Sequence, residues 1–403
     1  MKEIAVFGVL TIAILWAARR NKISKFPLKI KKCLLSQRQI DRYSRQLVLE
    51  GFGVEGQASL LASKVLVVGA GGLGSSVILS LAAAGVGTMG IVDGDQVSFS
   101  NLHRQTIHTE PSVGTQKVHS AIATAKSVNS DITYIAYDLF LTIDNAEPIL
   151  SVYDLIIEAT DCVRCKYIVN EICVKIGKPC IIAGAQGWQG QVVHCIPDQA
   201  CYQCVFPRQD TLTGGSCSDN GVVGTVPALI GHWQSMLAIH HLCNSGTLQS
   251  KLYMIDLSQM QVMNIKLKRN ATCQCCSSTS TIQTTSCVPK LPQVPSVTWN
   301  ELLTDNLLLL ESLFIDVRVS VQHRIWSVEN SINIPLDALE TSIDSIRLEL
   351  LKRKTNTVLL FCRRGVHSRL AVEKLVVFLP NVKILNIQGG LQALHTNFVT
   401  PNY

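Results

Sequence analysis

Residues 65–95, VLVVGAGGLGSSVILSLAAAGVGTMGIVDGD, constrain the fold of this chain more than any other stretch. Residues 65–68 are an unbroken run of Val and Leu, the pattern of a strand buried in a parallel sheet. Gly69, Gly71, Gly72 and Gly74 come next, then a stretch that reads as a helix, 75–84, and a second strand, 89–92, ending in Asp93. Strand, glycine turn, helix, strand and acid is the order of a nucleotide-binding unit. The glycines let the backbone approach a phosphate lying on the helix N-terminus, and the acid is placed to accept from a ribose hydroxyl. Taken alone the motif favours a nicotinamide or flavin enzyme. The residues beyond Asp93 change that reading.

The chain is 403 residues long, enough for two domains with sizeable cores. Its net charge of +7 is concentrated at one end: residues 1–32 carry eight Lys or Arg and one Glu, so the remaining 371 residues are neutral overall. The body therefore presents no basic surface for nucleic acid. Residues 4–18 are apolar and uncharged. As a helix they would cover about 22 Å, short of the roughly 30 Å of a bilayer core. One reading is a short membrane anchor, which the basic residues 19–32 would orient with the body in the cytosol. A second is a cleaved signal peptide, but no clear small-residue cleavage site is present after it. A third is an extension irrelevant to activity. The expectation is a cytosolic protein, with a tether through residues 4–18 left open.

Residues 36–49 read as a helix capped by Ser36, with Ile40, Tyr43 and Leu47 on one face and Arg42 and Arg45 as solvated charges. The loop 97–105, VSFSNLHRQ, places Asn101 and Arg104 just past Asp93. It is either a site for a triphosphate or an ordinary polar loop. Lys117 opens the next helix, 117–129, where its ammonium could face a phosphate or simply solvent. Residues 155–159 form another strand, and Thr160-Asp161 stand at its carboxyl end, where ligands bind in such sheets. Asp161 is accordingly a candidate magnesium ligand, an N-cap for the helix 163–176, or both. Residues 180–183 are one more strand.

The 15 cysteines are odd in number and dispersed, which argues for a reducing compartment rather than a disulfide framework. Cys201-Tyr-Gln-Cys204 and Cys273-Gln-Cys-Cys276 have the spacing of a four-thiolate structural zinc site, with Cys275 as the bystander. Cys217 lies between the pairs in a Gly- and Ser-rich loop, ahead of a long apolar helix, 222–241. Residues 277–296, rich in Ser, Thr and Pro, read as a linker to a smaller domain of alternating strands and helices. There, strand 313–317 carries Asp316-Val-Arg318. Strand 358–361 runs into Cys362-Arg-Arg-Gly-Val-His-Ser368 and a helix, 369–378. A cysteine between a strand and a helix N-terminus gathers backbone N–H groups, and Arg363, Arg364 and Arg369 add positive potential, so Cys362 is a candidate nucleophile or persulfide carrier. Phosphatase loops of similar spacing end in Arg, whereas this one ends in Ser368.

RYSRQ (42–46), GAGGLG (69–74), DGDQVSFSNLHRQ (93–105), VGTQK (113–117), TD (160–161), GQV (190–192) and the two C-x-x-C pairs together resemble the ubiquitin-activating-enzyme-like adenylyltransferases of the ThiF/MoeB type. DVR (316–318) and CRRGVHS (362–368) after a linker are similar to the rhodanese-like domain of the eukaryotic adenylyltransferase and sulfurtransferase that serves molybdopterin synthase and the ubiquitin-related modifier. The resemblance covers residues 36–403. It implies an α/β protein: a Rossmann-like, doubly wound adenylation domain with a structural zinc (36–276), a linker (277–296) and an α/β rhodanese-like sulfurtransferase domain (297–403), behind an N-terminal extension (1–35).

It further implies a mechanism. ATP's ribose meets Asp93 and its phosphates lie over Gly72. Ser100, Asn101, Leu102, His103, Arg104 and Lys117 belong to the ATP site, with Asp161 on Mg2+ beside Cys162, and Arg45 reaches the site of the other subunit in a homodimer. Cys201, Cys204, Cys273 and Cys276 hold one Zn2+. The carrier is a ubiquitin-like protein whose C-terminal glycine is adenylylated. Cys362 takes sulfur as a persulfide from a cysteine desulfurase or another donor. Cys217 forms a thioester with the carrier or resolves an acyl-disulfide against Cys362. The product thiocarboxylate serves molybdenum cofactor biosynthesis and tRNA wobble-uridine 2-thiolation.

The chain departs from the family pattern at three places. Asp161 is followed by Cys162 rather than Asn, a family Arg appears as Lys166, and an Arg and an acid are missing around Gly187-Trp-Gln-Gly-Gln191. A dinucleotide-dependent oxidoreductase would explain the glycines and Asp93 but neither the C-x-x-C pairs nor the cysteine loop. A non-catalytic scaffold of the same family would explain the lost Arg and acid, but not the retention of Asp161, Cys217 and Cys362.

Overall fold

The computed structural model describes residues 34–208, 221–243, 248–277 and 293–396. Residues 4–18, for which a tether is one reading, Cys217 and linker residues 278–292 lie outside them. Among the described residues no helix is long and apolar enough to cross a membrane.

Helix α1, Gln37–Leu47, starts where expected. Ser36 Oγ accepts from Gln39 N, and Gln39 answers with a bond to Ser36 N, so two orphan amides at the helix start are satisfied. Tyr43 is buried on its inner face, and Arg45 is exposed in its last turn. Helix α2, Gly53–Ala62, is an addition to the elements expected from the sequence.

An eight-stranded sheet comes next: β1 Lys64–Val68, β2 Thr88–Val92, β3 Thr133–Tyr137, β4 Leu155–Glu158, β5 Cys180–Gln186, β6 Gln189–Cys195, β7 Lys251–Asp256 and β8 Gln261–Lys266. Its spatial order is β3-β2-β1-β4-β5-β6-β7-β8. The first five strands pair in parallel and the last three add on antiparallel. The chain moves outward from β1 to β3 and then returns to β4 on the other side of β1. The carboxyl ends of β1 and β4 therefore flank the switch point where ligands bind in such sheets.

Helix α3, Gly72–Ala84, begins three residues earlier than expected, so half of the glycine motif is its first turn. The reason is close approach. A Cβ on Gly74 would lie 1.9 Å from Gly69 O, and Gly69 itself has φ +100°. Helices α4 Lys117–Val128, α5 Ile143–Leu150 and α6 Val163–Ile176 cross between the parallel strands. The short turn α7, Tyr202–Val205, sits within the first C-x-x-C pair. Helix α8, Thr225–Cys243, crosses α3 so closely that a Cβ on Gly231 would lie 2.3 Å from Leu73 O.

The second sheet has five parallel strands in the order β11-β10-β12-β13-β9. They are β9 Ser296–Val297, β10 Leu313–Asp316, β11 Ile332–Asn333, β12 Thr357–Phe361 and β13 Lys383–Ile387. Ser296, expected in the linker, instead opens the edge strand β9 through pairing with Asn386. Along β12 the side chains alternate. Val358 and Leu360 enter one core with Cys362, and Leu359 and Phe361 enter the other with Trp299. Helix α9, Val366–Phe378, starts three residues earlier than expected, placing Ser368 and Arg369 in its first turn.

Gly231→Val should wedge α8 away from α3 and lower stability by about 1–3 kcal/mol or more, read as a drop in the urea midpoint; an unchanged midpoint would contradict the close crossing.

Candidate functional site

The carboxyl ends of β1, β2 and β4 enclose a cavity of about 610 Å³. Gly72, Asp93, Asn101, Arg104, Lys117 and Asp161 all line it, together with Cys162. Residues far apart in sequence are thus brought to one wall. Ser100, Leu102 and His103 are not on that wall. Ser100 O and His103 Nε2 instead receive Arg104 Nη1 at 3.1 and 2.8 Å. Because a guanidinium only donates, the His103 ring accepts at Nε2 and is neutral. Burial, and then the charge of Arg104, lower its pKa.

Asp93 ties the rim together: its Oδ2 accepts from Ala70 N at 2.8 Å and its Oδ1 from Asp95 N at 2.9 Å. Burial raises its pKa, against the pull of Lys117 and these two amides. Lys117, 6% exposed, is held by Asp95 Oδ2 at 2.8 Å. Buried His108, to which no sequence motif points, supports the glycine turn from behind. Its Nε2 donates to Ala70 O at 2.9 Å, so its Nδ1 accepts from Ser120 Oγ, also at 2.9 Å. Burial lowers its pKa and keeps it neutral.

The loop after β4 rests on an ion pair that the sequence also concealed. Lys166 Nζ donates to Glu158 Oε2 (2.6 Å), Thr160 O (2.7 Å) and Ala183 O (2.6 Å), which uses all its protons. Lys166 keeps the family's positive charge but spends it beneath the loop. Glu158 is fully buried, which raises its pKa while Lys166 and Thr160 pull it down. A lone acid inside the apolar strand LIIEA was the available signal, since a buried carboxylate needs a partner. Asp161 stands exposed, and its carboxylate makes no hydrogen bond among the described residues. It is not the N-cap of α6: that position belongs to Cys162, whose N–H bonds Thr160 Oγ1 at 3.1 Å.

A groove of about 420 Å³ adjoins this cavity, sharing Leu73, Asp161 and Ala185 with it and running over β5, β6 and β7. Gln189, where the family acid is missing, donates to Asp256 Oδ2 at 3.0 Å, so a carboxylate from β7 stands in the groove instead.

Cys201, Cys204, Cys273 and Cys276 converge with all four Sγ atoms within 4.8 Å of one another. Three of the pairs measure 3.9, 3.7 and 3.4 Å. Four sulfurs at the ~2.3 Å zinc–sulfur bond length would sit about 3.8 Å apart, so the tetrad fits a tetrahedral metal. Cys275 stays outside it and accepts from Asn170 Nδ2 at 3.2 Å.

In the second domain Cys362 is buried at the end of β12, and its Sγ accepts from Gly365 N at 3.1 Å and lies 3.4 Å from Ser368 Oγ, whose proton goes to Asn386 Oδ1 at 2.6 Å. Gly365 has φ +79°, which turns its amide toward the sulfur. Asp316 and Arg318 form a buried pair, Nη2 to Oδ2 at 2.6 Å, closing the neighbouring strand end.

Two family models match the chain: one described as the ThiF family over residues 43–276, and one described as a rhodanese-like domain over 299–397. The chain belongs to the ThiF family. Relatives named adenylyltransferase and sulfurtransferase MOCS3 include one from Arabidopsis thaliana, 37% identical over 92% of this chain and 86% of that protein. Another, from Xenopus laevis, is 33% identical over 94% of each. Among solved structures, E. coli MccB with MccA-N7isoASN superposes with a TM-score of 0.51 at 23% identity, covering 59% of this chain and 74% of that one. PaaA gives 0.51 at 21%, covering 64% and 82%. These two likenesses are of fold. Within the ThiF family, the rhodanese-like domain makes this chain an adenylyltransferase joined to a sulfurtransferase, which excludes the oxidoreductase reading.

Lys166→Met should strand the Glu158 charge and cost about 3–5 kcal/mol, whereas Lys117→Ala, losing a half-exposed pair, should cost about 1 kcal/mol or less; urea unfolding of both variants distinguishes a supporting cation from a ligand-facing one.

Proposed function

We propose that the cavity binds ATP and that the chain adenylylates the C-terminal glycine of ubiquitin-like sulfur carriers before converting it to a thiocarboxylate. The observation that carries this is the meeting of the glycine turn, Asp93, Arg104, Lys117 and Asp161 in one cavity at the sheet's switch point. Asp93 receives the ribose, the N-terminus of α3 faces the phosphates, and Asn101, Arg104 and Lys117 take up the charge that develops on them. Asp161, exposed and unbonded, would hold Mg2+, which supplies charge neutralisation on the phosphates. The carrier tail enters along the adjoining groove. Its carboxylate oxygen attacks the α-phosphorus, and pyrophosphate leaves with the bond it gives up.

The sulfur step uses the second domain. Cys362 accepts sulfur from a cysteine desulfurase or another donor, and the Gly365 amide supports the charge on its sulfur. The terminal persulfide sulfur attacks the acyl-adenylate carbon and AMP departs. Cys217 then resolves the acyl-disulfide, or the carrier passes through a thioester on Cys217. The carriers served are those of molybdenum cofactor synthesis and wobble-uridine thiolation. The enzyme works as a cytosolic homodimer in which exposed Arg45 completes the partner's site. The four-cysteine tetrad holds one structural Zn2+.

Asp161→Ala should lower ATP–pyrophosphate exchange by about 10²-fold or more, while Cys362→Ala retains exchange and yields no thiocarboxylate by carrier mass; equal exchange in wild type and Asp161→Ala would refute the assignment. Metal analysis should find one zinc per chain, and its removal by a chelator should lower the thermal midpoint; a metal-free, equally stable protein would remove the tetrad's role.

A further inference from the structure

Cys162 and Cys165 form a third C-x-x-C, Cys162-Val-Arg-Cys165, which neither the metal tetrad nor the sulfur-transfer step uses. Both residues line the nucleotide cavity. Cys162 is exposed and is the N-cap of α6, with φ −88° and ψ 108°. Cys165 is the N3 residue of the same helix and is 7% exposed. An N-cap side chain folds back over the first turn toward N3. Here no side-chain cap bond holds it elsewhere, since the amide of Cys162 is satisfied by Thr160 Oγ1. An accessible thiol at a helix N-terminus with a sheltered thiol three residues on is the arrangement in which C-x-x-C pairs exchange electrons.

We propose that Cys162 and Cys165 are a redox-active dithiol whose oxidation to a disulfide closes the nucleotide site. The oxidant is a hydroperoxide, hydrogen peroxide in the simplest case. The Cys162 sulfur attacks a peroxide oxygen, the O–O bond breaks, Cys162 becomes a sulfenic acid and water leaves. The Cys165 thiol then attacks that sulfur, the S–O bond breaks, the S–S bond forms and a second water leaves. Two thiols thus give two electrons, and the peroxide becomes two waters. A dithiol reductant reverses the change by exchange. Burial raises the Cys165 pKa and keeps this thiol protonated until it is used as the resolving partner.

The mechanical consequence depends on which end of the pair can move. Cys165 adjoins Lys166, which is pinned by three bonds to Glu158, Thr160 and Ala183. Cys162 is bonded through its backbone, its N–H to Thr160 Oγ1 at 3.1 Å and its carbonyl to Lys166 N at 3.3 Å, but its side chain makes no cap bond, and it adjoins Asp161, whose side chain makes no hydrogen bond among the described residues. Closing the disulfide therefore draws the N-cap residue inward and carries Asp161 with it, away from the phosphates. This consequence, but not the disulfide, rests on the proposed binding of ATP.

The test treats the full chain with hydrogen peroxide and then with dithiothreitol. Trypsin cuts after Arg164, so the disulfide appears as two peptides, one ending at Arg164 and one beginning at Cys165, that separate only on reduction. ATP–pyrophosphate exchange, measured with a ubiquitin-like sulfur carrier as the carboxylate acceptor, should fall by about tenfold or more and return with dithiothreitol. Cys162→Ser, each rate divided by that variant's own untreated rate, should resist the loss, and zinc content should be unchanged at the same dose. Unlinked peptides in oxidised wild type, or an equal loss in Cys162→Ser, would overturn the proposal. Linked peptides with undiminished exchange would confirm the dithiol and overturn its control of the site. With the carrier present, absence of exchange before any oxidant would refute adenylylation at this cavity and leave the peptide result to decide the dithiol.

Discussion

The buried pair between Glu158 and Lys166 is the interaction on which the switch-point cavity most depends. Glu158 ends β4 inside the sheet, where an unpaired carboxylate would be costly to bury. Lys166, one turn into α6, cancels that charge and also ties down two backbone carbonyls, Thr160 O and Ala183 O. Strand β4, the loop after it, helix α6 and strand β5 are thereby held to one ammonium group. What this leaves free is Asp161, exposed above the pair and available to a ligand. Such pairs stabilise little in net terms because desolvation offsets attraction. Here the gain is in position: the base of the loop is fixed because a single cation has three acceptors.

Asp93 does the equivalent work one strand away. Its two oxygens hold Ala70 and Asp95, one on each rim of the cavity, while His108 holds Ala70 from below. Strand-end carboxylates thus organise the rims on both sides of β1. The second domain repeats the device with Asp316 at the end of β10, paired to Arg318 and to His323 Nδ1 at 3.0 Å. In each case a charge that would be wasteful inside a strand becomes useful at its carboxyl end, where loops must be shaped.

Local signals in the chain are legible for a physical reason. A strand, a glycine turn and a helix declare themselves within a few tens of residues, because periodicity and backbone sterics act over short range. The switch-point cavity is a consequence of that order, and so is the gathering of Asp93, Asn101, Arg104, Lys117 and Asp161. The partnering of side chains across elements is not legible in the same way. Lys166 reads in one dimension only as a Lys where the family has Arg, and the packing of α6 against β4 and β5 reveals that its protons are taken. Ser100 and His103 sit in a polar loop and are ligand contacts by resemblance, and only the structure shows that both also orient Arg104. Both α3 and α9 start three residues before the sequence pattern suggests, for one reason. Gly72 and Val366 come directly after tight turns, and a glycine turn read as loop hides the fact that its last residues already have helical geometry.

The same contrast explains how 15 cysteines can take separate roles within one chain. Thiol chemistry is set by surroundings, not by residue type. Four converge with their sulfurs within 4.8 Å of one another, a geometry that could hold a metal ion. Cys275, next to Cys276 in the chain, is not one of the four and accepts from the Asn170 amide. Cys362 is enclosed at a strand end with the Gly365 amide on its sulfur, which suits it to carry a charged sulfur group without exposing it. Cys162 is the opposite case, open to the nucleotide cavity with its partner Cys165 sheltered behind it. A chain that handles activated sulfur must keep such thiols from reacting with one another. Burial, metal-matched geometry and position on separate elements do this through the fold itself, with no need for distinct residue types.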